Sequence, residues 1–195
     1  MFGLDPNIHS LIIAAFNQKG RFMKYFLLAT LLAFAAPAQA GETMTAESEA
    51  MLATLASCYE PLSEGKSPTD VAIADHLREL PAEQAKLMAQ KGGRVFVIRP
   101  ASTLLLTFAD SPACSVVMTR LNFEKFKKEV ELAFGEDSPF KLVSQKAEGD
   151  SVTRQYAAQV GSDAYVLTIS AEKKYQEGSV QGILTVGKVA PPKAN

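Results

Sequence analysis

The sequence predicts an α+β fold: an antiparallel sheet of about six or seven strands, with N-terminal helices and one central helix packed against it. Three observations carry this prediction. Apolar residues recur at helical spacing between about residues 45 and 90, short β-type runs separated by turn residues begin at Arg94, and one helical stripe after Asn122 interrupts those runs.

Met51, Leu52, Leu55, Cys58 and Tyr59 lie at helical spacing, which predicts a helix from about Thr45 to Tyr59 ended by Pro61. Ser67-Pro68-Thr69-Asp70 then offers an N-cap, a proline at the first helical position and an acidic residue at the third. The helix that follows carries Val71, Ala74 and Leu77. Leu80-Pro81 interrupts it and opens a third short helix with Ala85, Leu87 and Met88 inward, terminated by Gly92-Gly93. Arg94–Ile98 and Thr103–Ala109 read as a hairpin across Arg99-Pro100-Ala101-Ser102, and Cys114–Arg120 as a third strand. Asn122 caps the central helix, whose Phe123, Phe126, Val130, Ala133 and Phe134 form one stripe ended by Gly135. Such a stripe serves core packing before it serves a ligand pocket. Strands are expected near Phe140–Ala147, Val152–Val160, Tyr165–Ala171 and Ser179–Val186, with turns at Glu148-Gly149-Asp150-Ser151 and Gly161-Ser162-Asp163-Ala164.

A hairpin register must put apolar side chains on one face. Pairing Val160 with Tyr165 aligns Ala158 with Leu167 and Tyr156 with Ile169, and leaves Thr153, Gln155, Gln159, Thr168 and Ser170 opposite. Gln155, Gln159, Thr168 and Ser170 are therefore the candidate binding residues. Their hydroxyls and amides, almost free of charge, suit hydrogen bonding to a peptide or glycan, and the plainer account is a wet sheet face.

The chain has 195 residues, 47% of them apolar and 21% charged, as in an ordinary globular protein. Residues 23–40, MKYFLLATLLAFAAPAQA, have the layout of an export signal: Lys24 in the n-region, an apolar run from Phe26 to Ala36, and Ala38-Gln39-Ala40 as a small-x-small cleavage site. The run is shorter than the ~20 residues that span hydrocarbon. Gly41 follows, where lipid attachment would need cysteine. The expected organisation is an N-terminal extension and cleaved signal at 1–40 (Met23–Ala40 the signal proper), one α+β domain at 41–189 and a disordered tail at 190–195. Residues 1–22 read as an over-extended start. The expected location is periplasmic or secreted, with no membrane span in the mature form.

Without the first forty residues the chain keeps 17 basic and 20 acidic residues, a net −3. That balance does not attract phosphate backbones, and Lys125, Lys127 and Lys128 share their helix with Glu124, Glu129 and Glu131 as a solvated face. Cys58 and Cys114 are the only cysteines. In an oxidising compartment an isolated pair is most simply a disulfide, and their spacing is unlike the C-x-x-C of redox pairs.

Chemistry is sparse. Beyond residue 40 the one histidine is His76, without a second ligand at i+4, and no metal-binding or cofactor-binding spacing occurs, so no metal and no cofactor is expected. No G-x-S-x-G elbow appears, and Glu129 with Glu131, or Glu136 with Asp137, are solvated pairs. The reading is a non-enzymatic envelope module that binds a protein, peptide or glycan, with no catalytic residues assigned. The alternative is an extracytoplasmic hydrolase using convergent carboxylates or a serine, with His76 as base.

Gly93-Arg94-Val95-Phe96, Cys114-Ser115-Val116 and Ser138-Pro139-Phe140, in this layout, give a sequence that resembles a family of small exported proteobacterial proteins of unknown function. The resemblance covers most of residues 45–187. It implies export and a compact domain of N-terminal helices followed by a β-β-β-α-β arrangement, and it brings no known active-site residues.

Overall fold

The structure is a computed structural model that describes residues 44–189 apart from 87, 90–92, 101 and 109–111. The export signal expected at Met23–Ala40 and the tail at 190–195 lie outside the described residues.

Thr45 opens the first helix by accepting the Ser48 N–H on its hydroxyl. Helix α1 (Ala46–Ala53) runs into a π-helical segment (Thr54–Tyr59) and then α2 (Glu60–Ser63), and the residues at both junctions, Ala53, Thr54, Tyr59 and Glu60, keep right-handed helical backbone, so the three form one rod. The expected stop at Pro61 does not occur. A proline inside a helix removes one N–H and crowds the carbonyl four residues earlier. The wider π turn directly ahead of Pro61, in which Glu60 N–H reaches back to Leu55 O, accommodates the ring. Met51, Leu55, Cys58 and Tyr59 are buried as expected, whereas Leu52 is 49% exposed because the buried stripe runs through Ala50 and Met51.

Ser67 caps α3 (Pro68–Ala74) through the Asp70 N–H, as its sequence predicts. Past its end His76 takes a left-handed φ of 56°. Its N–H bonds Ile73 O while the Leu77 N–H bonds Ala72 O, the paired bonds of a Schellman cap. This cap ends the helix before Leu77, and the residues buried on it are Pro68 and Ala72, whereas Ala74 is exposed. Strand β1 (Arg78–Glu79) and helix α4 (Ala82–Ala85) follow. Ala85 is buried but Met88 is exposed.

The remaining elements are β2 (Gly93–Arg99), β3 (Thr103–Phe108), β4 (Ala113–Met118), α5 (Phe123–Ala133), β5 (Lys141–Glu148), β6 (Ser151–Val160), β7 (Asp163–Glu172) and β8 (Gly182–Val189). They complete one antiparallel sheet of eight strands, in the order β1-β2-β3-β4-β8-β7-β6-β5, where six or seven were expected. The extra strand is β1, two residues long and too short to show a period of two. The sheet is two meanders of four strands that meet at β4 and β8, where Val116 lies opposite Leu184. Helix α5 carries the chain from that seam to the far edge. Its cap is Asn122, whose side chain accepts the Lys125 N–H, and the Asn122 N–H is itself bound by the buried Glu47 carboxylate of α1 at 2.8 Å.

The β6–β7 register differs from the expected one by two residues: Val160 lies opposite Asp163, Ala158 opposite Tyr165 and Tyr156 opposite Leu167. Gly161, at φ 63°, allows a two-residue turn with Ser162, so Asp163 and Ala164 belong to the strand rather than the loop. A shift of two leaves every side chain on its expected face.

One sheet face carries the main core. Phe96, Leu105, Val116, Leu184, Ile169, Leu167 and Tyr156 point there and pack against the rod, α3 and the Phe126, Val130 and Phe134 stripe of α5. A disulfide joins Cys58 of the π segment to Cys114 of β4. On the opposite face a smaller cluster of Val95, Val97, Leu104, Leu106 and Val117 lies with Ala85 of α4. The fold is thus α+β, with helices mainly on one face.

Candidate functional site

Alternation along β6 and β7 gives the face opposite the main core its character. Tyr156, Ala158, Tyr165, Leu167 and Ile169 turn inward and are buried, so Thr153, Gln155, Gln159, Thr168 and Ser170 turn the other way. The structure brings the candidate residues together unequally. Gln155 is directly opposite Thr168, and Thr153 is directly opposite Ser170 with hydroxyl oxygens 2.9 Å apart. Gln159 lies two rows away, opposite Ala164, with its amide 3.5 Å from Gly161 O.

The neighbouring strands extend this pair into a row. Register places Ser144 of β5 beside Gln155, Thr185 of β8 beside Thr168, and Ser115 of β4 beside Thr185. Ser144-Gln155-Thr168-Thr185-Ser115 therefore crosses five adjacent strands, about 19 Å at the usual strand spacing. Ser144 donates to the Gln155 amide oxygen at 3.0 Å, and the Ser115 and Thr185 hydroxyls are 2.8 Å apart. The two ends of the row are thus held by cross-strand hydrogen bonds, and the side chains of Gln155 and Thr168 in its middle are reachable from solvent. Beyond Ser115 the same line continues as Leu106 and Val95, under the cluster that includes Ala85.

The row carries no ionisable group. Beside it run the small residues Ala157, Val166, Gly187 and Ala113, opposite one another in register, which keep this part of the face shallow. Charge lies along β5, where the Lys146 ammonium pairs with Glu148 at 2.9 Å near the β5–β6 turn and Lys141 stands opposite Ala157. The chemistry available in the middle is donation and acceptance of hydrogen bonds by neutral groups. Ser144, Thr185 and Ser115 escape sequence reasoning because their membership depends on which strands become neighbours, and β4 meets β8 across some seventy residues of chain. The available signal is alternation alone: Cys114 and Val116 inward leave Ser115 outward.

The groups considered for catalysis lie elsewhere. His76 is exposed at the end of α3, and its backbone is what the cap uses. Among the described residues no group of three or more His, Cys, Asp or Glu is arranged to hold a metal ion. Between α5 and the sheet a small apolar recess is lined by Phe123, Phe126, Val130, Val152, Ile169 and Ala171, with Arg154 and Lys127 beside it. Arg154 there faces Glu131 at 3.5 Å. At the other end of the sheet, the Arg94 guanidinium bound to Glu79 holds that carboxyl below the usual carboxylate range. Among the described residues no helix is long and apolar enough to cross a membrane. Comparison with known proteins finds no matching family model, no matching curated protein and no matching solved structure.

Proposed function

We propose that this chain is an exported envelope module that binds a protein, peptide or glycan through the open half of its sheet and performs no chemistry on it. The observation that carries the reading is the uncharged row Ser144-Gln155-Thr168-Thr185, continuous over four strands and ending at the buried Ser115. Hydrogen-bonding groups fixed on a rigid sheet lose little freedom when a ligand engages them, which is the condition for useful affinity from neutral polar contacts. The disulfide supports an oxidising location, periplasmic or extracellular. Membership of a family of small exported proteobacterial proteins is part of the same proposal.

The test is affinity capture from envelope extract with the oxidised protein, the captured set being identified by mass spectrometry and compared with that of a Gln155→Ala/Thr168→Ala/Ser170→Ala variant. The expected outcome is loss of one specific partner or glycan fraction, with a thermal midpoint within a few degrees of the parent. Unchanged capture by the folded variant would remove the face from consideration.

A further inference from the structure

The two ends of the sheet are unlike. One edge is β1, only two residues long, while the other is β5, eight residues long and exposed at every position. Leu142 and Val143 on it are 53% and 59% exposed. An outer strand of this length offers a full row of unpaired backbone donors and acceptors to another chain. Lysines and bulges are usual protections of such an edge, and β5 carries Lys141, Lys146 and an irregularity between Leu142 and Ser144.

The sequence of β5, KLVSQKAE, complements its own reverse. Antiparallel pairing with an identical strand sets Lys141 opposite the partner's Glu148 at both ends and Leu142 opposite the partner's Ala147. Each pair also shares a face. Lys141 and Glu148 lie opposite Ala157 and Ser151, on the polar side, whereas Leu142 and Ala147 lie opposite Tyr156 and Val152, on the helix side. Val143, the extra residue of the irregularity, occurs once in each copy, so the symmetry is kept and Gln145 falls on the twofold axis. The molecule already joins its own halves this way, by antiparallel pairing at β4 and β8.

We infer that β5 is the interface of a homodimer, in which two copies pair edge to edge across a twofold axis and their sheets run on as one. Such an axis is perpendicular to the sheet, so both polar faces lie on the same side and form a single doubled surface. This inference does not depend on what that surface binds.

The test is sedimentation of the purified protein, disulfide closed, over a concentration series, with far-UV circular dichroism to verify folding. A concentration-dependent dimer is expected. Lys141→Glu alone and Glu148→Lys alone should each weaken it about tenfold, since each turns two attractive cross-strand pairs into repulsive ones, and the double exchange should restore it. An oxidised Gln145→Cys variant should run as a covalent dimer without reductant. A monomer up to about 1 mM, a dimer indifferent to both single reversals, or a double exchange that fails to restore association would each overturn the inference.

Discussion

His76 holds a φ of 56° in the position after the cap of α3, where the Schellman bonds demand a left-handed residue. A side chain there costs about 1–2 kcal/mol, and glycine gives back about 0.5–1 kcal/mol through its freer unfolded chain. His76→Gly is therefore expected to stabilise the protein by roughly 0.5–1 kcal/mol, measurable as a higher urea midpoint at unchanged slope. A loss of stability would mean that the imidazole does more than occupy the cap. Tyr59 shows the opposite kind of constraint. Burial, with Tyr165 beside it, raises its phenol above the ordinary value near 10. The folded state thus holds this proton more tightly than the unfolded chain. That contribution is complete below about pH 10 and is lost as the pH rises through the folded-state value. Urea unfolding between roughly pH 8 and 11 should show an alkaline fall in stability that is shallower in Tyr59→Phe, and equal slopes for the two proteins would refute this.

Among the elements, the rod and β4 are joined by the one covalent crosslink, Cys58–Cys114, closing a loop of 56 residues in sequence separation. In the chain-entropy picture its removal costs about 4 kcal/mol. Cys58→Ser/Cys114→Ser should lower stability by that order, and reductant should then have no further effect on the variant, whereas it destabilises the parent. The elements that depend on local chemistry were the legible ones. Ser67 and Asn122 cap the helices after them because a short polar side chain ahead of an apolar stripe has one economical use. The inward residues of β6 and β7 follow from alternation, and even a two-residue error of register left Gln155, Thr168 and Ser170 on the correct face. What sequence hid was set by distant partners. β1 exists because Arg78 and Glu79 meet Val97 and Phe96, and the rod passes Pro61 because the π turn opens ahead of it. Ser115 and Thr185 join the polar row only once β4 and β8 are side by side.

At the scale of the molecule, the two meanders share one core. Phe96, Leu105 and Val116 from the first and Leu184, Ile169 and Tyr156 from the second pack in the same cluster with the rod and α5. Their pairing at the seam links residues far apart in the chain, so closure of the sheet comes at the cost of a long loop and is expected to be the slow part of folding. Both disulfide partners belong to the first meander's side, and the segment between Phe134 and Lys141 is the one covalent link between the sides. A protein severed there consists of two pieces, the first carrying the helices with β1–β4 and the second β5–β8 alone, and the bare inner strands β4 and β8 match each other. Mixed in solution, the pieces should recognise each other and rebuild the fold by complementation, with strand β-signal and tyrosine environment returning together. Were each piece to stay folded by itself, or the mixture to remain unstructured, the seam would not be the joint on which the sheet depends.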